Sequence, residues 1–188
     1  MTAEEMLVKR AKAGDDKAFS EIVKLYQNAV YNSALYIAKN RDDALDISQE
    51  VFLKLWRTLD SFRGDTSLKF WIARITRTCS IDYIRQRNQK TASPLTIDDE
   101  GKEADIPDLD SSSNPQKEYE RKESIAAVRQ AVASLPEPIK EAIILREFHN
   151  LSYADIAATL GISEGTVKSR ISRGREQIKN FLKNGNFF

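Results

Sequence analysis

LSYADIAATLGISEGTVKSRISRGREQIKNFL, Leu151 to Leu182, is the stretch that decides the fold. Ser152 followed three positions later by Asp155 has the form of a capping box, which starts a helix by satisfying its first free N–H groups. Ile156, Ala157 and Leu160 supply an apolar face. Gly161 suits the left-handed conformation that ends a helix, and Ser163 can cap the next one. In that second helix Val167, Ile171, Gly174 and Ile178 recur at i, i+4, i+7 and i+11, so they form one inward stripe. Gly165, Ser169, Ser172 and Arg173 then point outward, flanked by Thr166 and Lys168. From Ser163 to Lys183 six basic residues stand against two acidic ones, a net charge of +4. Small residues on an open face with basic flanks can approach base edges while anchoring on phosphates. A plain helical hairpin with a solvated basic face is the alternative, but start, turn and stripe together match a helix-turn-helix.

Working outward, the residues before this stretch are also helical. Pro115 sets up a helix with Ile125, Val128, Ala131, Val132 and Leu135 inward, and LPEP at Leu135–Pro138 stops it. A further helix from about Glu137 to Phe148 packs Ile139, Ala142, Ile143 and Leu145. Ahead of these lies TASPLTIDDEGKEADIPDLDSSSNPQ, Thr91 to Gln116, rich in Asp, Ser and Pro and without helical period. Such a composition buries too little apolar surface to offset its ordering entropy. The expected fold is therefore all-α, with two small helical domains at 1–90 and 116–188 joined by a flexible acidic linker at 91–115.

Charge follows the same division. The net charge of the 188-residue chain is +1, yet it runs −1 over 1–62, +5 over 63–90, −6 over 91–123 and +3 over 124–188. Two basic blocks separated by an acidic one point to two nucleic-acid-facing surfaces. No apolar run approaches the roughly 18 residues of a membrane span, and the start MTAEEMLVKRAKAGDD lacks the apolar core of a signal peptide. With Cys79 alone no intrachain disulfide forms, which fits a reducing cytoplasm.

The first ninety residues read as about four helices. A short one ends at Gly14; a second, capped by Asp16, carries Phe19, Ile22, Val23, Tyr26, Val30, Ala34, Leu35 and Ala38 inward and ends at Asn40. The third, about Asp42 to Leu59, turns Leu45, Ser48, Val51, Phe52, Leu55, Trp56 and Leu59 inward. Its other face shows Asp43, Asp46, Gln49, Glu50 and Lys54, which by pattern alone is a solvated face. The loop SFRGDTS, Ser61 to Ser67, offers Asp65 and Thr66 as caps for a helix to about Asn88. There Leu68, Trp71, Ile72, Ile75, Cys79 and Tyr83 face one way. Phe70, Arg74, Arg77, Ile81 and Arg85 face the other, with Thr78 at the edge, so cations interleave with an exposed aromatic. That combination holds unpaired nucleic acid, cations on phosphates and a ring on bases.

Catalytic chemistry finds little support. His149 is the single His and lies far along the chain from Cys79. A His-based metal cluster is thereby excluded, and no P-loop or GxGxxG is present. The expectation is a binding protein without cofactor, metal, small-molecule substrate or enzymatic activity. An operator-binding repressor would need a dimerisation element, which is not visible. A nucleic-acid-processing enzyme would need a metal or nucleophile cluster.

Three segments carry a family resemblance over nearly the whole chain. DDALDISQEVFLKLW, Asp42 to Trp56, resembles region 2.2 of the bacterial extracytoplasmic-function RNA polymerase sigma factors. FRGDTSLKFWIARITRTCSIDYIRQR, Phe62 to Arg87, resembles regions 2.3 and 2.4, and LPEPIKEAIILREFHNLSYADIAATLGISEGTVKSRISRGRE, Leu135 to Glu176, resembles region 4. The resemblance implies that Asp46, Gln49, Glu50 and Lys54 dock the clamp of the polymerase β′ subunit, and that apolar positions before the helix-turn-helix meet the β flap. It implies that Arg63, Asp65 and Thr66 line a pocket for a base of the melted −10 strand, with Phe70, Trp71, Arg74, Arg77 and Thr78 on the neighbouring bases and backbone. Thr166, Lys168, Ser169, Ser172 and Arg173 would read the −35 duplex, with Arg170 and Arg175 on phosphates. It also implies core polymerase, promoter DNA and an anti-sigma factor as partners, a linker along the RNA-exit path, and action in the cytoplasm without membrane insertion. One departure stands out: the family often has Asn where this chain has Thr78, and Thr is shorter and lacks the amide pair.

Overall fold

The computed structural model describes residues 2–90 and 115–185, and every regular element among them is helical. The chain divides into two compact units, one built from α1 to α4 and the other from α5 to α8. Most of the expected linker lies outside the described residues; only its last residue, Pro115, lies inside them and opens α5.

In the first unit, α1 (Ala3–Lys12) starts on a capping box between Thr2 and Glu5. Helix α2 (Asp16–Ala38) is capped by Asp15, not Asp16: the Asp15 carboxylate accepts from the N–H groups of Lys17 and Ala18 at 3.0 and 3.1 Å. Asp15 has the extended backbone a cap requires, whereas Asp16 is already helical. Arg10 donates to the same carboxylate and, with the Ala18 N–H, holds it below the usual carboxyl range. Asn40 does not end α2. Lys39 does, in the left-handed region at φ 56°, and Asn40 caps α3 (Arg41–Thr58) through the N–H of Asp43.

A 3-10 turn, Leu59–Ser61, leads to the loop before α4 (Leu68–Lys90). Ser67, rather than Asp65 or Thr66, accepts from a first-turn N–H of α4, that of Phe70 at 3.3 Å. Ile22, Ile47, Leu55, Leu68 and Ile72 form the fully buried centre of this unit. Each such side chain contributes about 1.5–3 kcal/mol through apolar burial.

The inward stripe of α3 differs from the expected one. Ala44, Ile47, Val51 and Leu55 are buried, while Leu45 and Trp56 are 45% and 41% exposed. Helix α3 carries apolar residues on two faces, and the one free of charge is buried. The face with Leu45 and Leu53 also carries Asp46 and Glu50, whose burial without partners would be costly.

In the second unit, α8 (Glu164–Asn184) packs against α5 (Pro115–Ala133), α6 (Glu137–Glu147) and α7 (Tyr153–Leu160). Ser152 forms the expected box, accepting from the Asp155 N–H at 3.1 Å while its own N–H reaches the Asp155 carboxylate. A cap of this kind contributes about 1 kcal/mol. Gly161 takes φ 66° at the turn, and Ser163 caps α8 through the Thr166 N–H. Val167, Ile171 and Gly174 are buried as the spacing predicts, with Ile178 partly so. On α5 the stripe is rotated: Ala127, Ala131 and Val132 are buried, but Ile125 and Val128 are 37% and 39% exposed. Small Ala side chains let the helices approach more closely than Ile and Val would.

Candidate nucleic-acid interface

In the first unit, the loop between the 3-10 turn and α4 is pinned at both ends and open in the middle. At its start the Phe62 ring stacks on Trp71, centroids 5.0 Å apart at 27°. The Lys12 ammonium, on the last turn of α1, donates to the backbone carbonyls of Asp60 at 3.2 Å and of Phe62. At its end Leu68 is buried. Between these points Gly64 takes φ +81°, a conformation a Cβ would oppose, and Arg63, Asp65 and Thr66 are exposed. These residues face α1 across an open cleft of about 610 Å³, whose far wall includes Glu4, Glu5, Val8 and Lys9. Only the loop side of this cleft was expected from sequence.

Helix α4 presents its outer face differently from the expectation. Phe70 is buried, 6% exposed, and is therefore not the open aromatic the wheel suggested. Arg74 lies over its ring, 5.8 Å from guanidinium carbon to centroid, so a cation–π contact covers the apolar surface. Arg74 and Ile81 remain exposed and Arg77 is half-buried. Trp71 is half-buried, with one face given to Phe62. Thr78 is exposed, its hydroxyl donating to the Arg74 carbonyl at 2.9 Å. On the buried side Thr76 and Ser80 do the same to Ile72 and Thr76, which satisfies both hydroxyls. Cys79 is also buried, and burial pushes its thiol up from the ordinary value.

In the second unit, the outward face of α8 carries Lys168, Ser169, Ser172 and Arg173, all exposed, with Thr166 and Arg170 half-buried at its edges. Thr166 is tied into the cap, its hydroxyl 2.9 Å from that of Ser163, and Ser169 donates to the Thr166 carbonyl. Gly165 leaves the helix start bare, with open space where a Cβ would project apart from one ordinary contact to Ser163. Arg175 differs from the other cations. It makes two bonds to one Glu147 carboxylate oxygen on α6, at 2.8 and 3.2 Å. A phosphate at Arg175 would have to displace that pair.

A third surface lies on α3 in the first unit. Asp46, Gln49 and Glu50 are exposed together with Leu45 and Leu53, the latter 49% exposed, and Lys54 is half-buried beside them. This face is braced from α4. The Tyr83 hydroxyl donates to Asp43 at 2.9 Å and, more weakly, to Asp46 at 3.4 Å, and Arg87 pairs with Asp43. The bond to Asp43, with burial and the two carboxylate charges, pushes the Tyr83 hydroxyl up to about 12. The pattern placed Tyr83 on an apolar face and Asp43 on a solvated one, and nothing local announces that they and Arg87 meet, since the partners lie 40 or more positions apart.

Among the described residues, no group of three or more His, Cys, Asp or Glu side chains is placed to hold a metal ion. No described helix is long and apolar enough to cross a membrane.

Comparison with known proteins agrees with this geometry. The family model for sigma-70 region 2 matches residues 22–90, and that for sigma-70 region 4 matches residues 125–178. The RNA polymerase sigma-H factor of Pseudomonas aeruginosa is 35% identical over 184 residues, spanning 95% of this chain and 93% of that protein. The ECF RNA polymerase sigma-E factor of Escherichia coli is 37% identical over 182 residues, spanning 94% of this chain and 93% of that protein. Among solved structures, the sigma factor RpoE of Bartonella quintana, in complex with the anti-sigma factor NepR, superposes with a TM-score of 0.66. It is 28% identical, over 89% of this chain and 98% of that one.

Proposed function

We propose, because this chain belongs to the extracytoplasmic-function (ECF) RNA polymerase sigma factors, that it directs core RNA polymerase to a specific class of promoters by holding two DNA elements at once. Residues 1–90 bind the polymerase clamp and the melted −10 strand, 116–188 read the −35 duplex, and 91–115 span between them. The reaction is binding without covalent chemistry, so the chain is an initiation factor and not an enzyme, and it acts in the cytoplasm where polymerase works. The Bartonella relative bound to its anti-sigma factor supports the same kind of restraint here.

The outward face of α3 carries this reading over that of an autonomous repressor. Isolated exposed leucines are ordinary, but Leu45 and Leu53 sit two turns apart and bracket Asp46, Gln49 and Glu50. A duplex binder acting alone has no use for an acidic, apolar-studded helix, whereas a protein partner does. In the −10 unit, Arg63, Asp65 and Thr66 line the cleft, and Trp71, Arg74, Arg77 and Thr78 stand further on, along α4. Phe70 supports Arg74 from within. Extruding a base costs a few kcal/mol of stacking, which the cleft must offset.

Run-off transcription with purified core polymerase, this protein and a promoter-fragment library tests the reading. Protein-dependent transcripts sharing one pair of −35 and −10 motifs are expected. No transcript, with no core binding and tight binding to duplex alone, would transfer the chain to the repressors. The clamp assignment has its own test. Asp46→Ala combined with Gln49→Ala is expected to weaken core affinity about tenfold, as loss of a central interface contact does, and to leave −35 duplex binding intact. Unchanged core affinity would remove these residues from the interface.

A further inference from the structure

Helix α1 has no part in the DNA-binding segments described so far, yet it forms the second wall of the −10 cleft and reaches into the loop that makes the first. Its own position is fixed at both ends. The Thr2–Glu5 capping box starts it, and Glu4 accepts a hydrogen bond from Tyr26 of α2. At the other end Arg10 holds Asp15, the cap of α2. From this anchored helix Lys12 crosses some fifty positions in sequence to the carbonyls of Asp60 and Phe62. Those carbonyls stand at the entry to the loop. Phe62 is held at the same place from the opposite side by Trp71 of α4. Past Phe62 the backbone turns through Gly64, so the placement of Arg63, Asp65 and Thr66 depends on where the loop is anchored.

We infer that Lys12 is a positioning residue for the −10 pocket: it latches the loop to α1 and so fixes the cleft in which the extruded base is discriminated. An ammonium donating to two carbonyls supplies charge-assisted bonds, stronger than neutral ones. With the latch gone the loop keeps its Phe62–Trp71 stack and its Ser67 cap, so the unit stays folded while the pocket loosens. A loosened pocket accepts more bases and holds each less firmly. The inference rests on the sigma-factor reading.

The experiment uses holoenzyme assembled from core polymerase and the full-length chain. Templates are a promoter fragment selected in the run-off assay and the same fragment with its extruded −10 base replaced. Lys12→Met is expected to lower transcript yield on the selected fragment about fivefold, as loss of one exposed hydrogen-bonded tie predicts. It should change the replaced fragment little, so that base discrimination collapses by a similar factor. Core affinity and thermal melting should match the parent, and Lys12→Arg should restore discrimination. Equal losses on both fragments, or a fall in core affinity or melting temperature that accounts for the loss, would reduce Lys12 to a structural tie and overturn the inference. Undiminished discrimination in Lys12→Met would overturn it also. Transcription by the unsubstituted protein separates the two levels: −10-dependent transcripts there keep the sigma-factor reading standing whatever Lys12 does.

Discussion

Gly174→Val is expected to destabilise the helix-turn-helix unit by about 3 kcal/mol and to abolish −35 recognition near physiological temperature. A Cβ built at Gly174 would lie 2.7 Å from Ile143 Cγ1 and 2.9 Å from Ile139 Cγ2, both on α6. Real carbon contacts are not that short, so α6 and α8 would have to separate. Ile is stiff at χ1 and cannot swing aside cheaply. Against this, a side chain in mid-helix gains about 0.5–1 kcal/mol over glycine. Gly174→Ala should therefore lose only about 1 kcal/mol net, since overpacking costs about 1–3 kcal/mol. Valine adds two more methyl groups to the same overlap and lacks alanine's helix propensity. Urea unfolding followed by circular dichroism would rank the three proteins. A valine variant as stable as the parent would mean that α6 and α8 are not in contact at this position.

The second large effect concerns Arg173, exposed on the outward face of α8. Arg173→Ala should reduce transcription from the selected promoter about tenfold or more, because a bidentate arginine–guanine contact is worth about 1–3 kcal/mol. The loss should be confined to one base pair: fragments substituted there in the −35 element should no longer be disfavoured by the variant. Lysine should not rescue, since a point charge cannot reproduce the planar fork. Core polymerase affinity should be unchanged. A uniform loss across all −35 sequences would reassign Arg173 to the phosphate backbone, and a loss of core binding would remove it from DNA altogether.

What was legible beforehand was what is encoded locally. The capping box at Ser152, the left-handed Gly161, the cap at Ser163 and the stripe from Val167 to Gly174 each lie within one or two turns of their partners, and each is found as read. Where apolar residues occupy two faces of one helix, periodicity names the faces without ordering them. That is why Leu45 and Trp56 on α3, and Ile125 and Val128 on α5, were placed inside. Phe70 was misplaced the other way: its wheel position is shared with arginines, and only the structure shows Arg74 folded over it. The Lys12 latch and the Tyr83–Asp43–Arg87 brace join residues 40 or more positions apart, so no local pattern could announce them. The outward face of α8 and the cationic face of α4 follow from periodicity, whereas the roles of Arg63, Asp65 and Thr66 and the polymerase-facing reading of α3 come only with likeness to a family; the structure adds which residues are exposed and which are already engaged.

The small hydroxyls on these surfaces have one more consequence. Thr78 on α4 and Ser169 on α8 each spend their single proton on a carbonyl of their own helix. What they turn outward is lone pairs. Around them the long side chains, Arg74 and Arg77 on α4 and Lys168 and Arg173 on α8, are donors only. On the proposed contacts the polarity of readout is split by reach: the side chains that would extend into nucleic acid give protons, and those that stay close to the helix receive them. Under that proposal adenine and cytosine amino groups would bond to the short hydroxyls only by coming up against the helix itself, whereas guanine oxygens and phosphates would be met at arm's length.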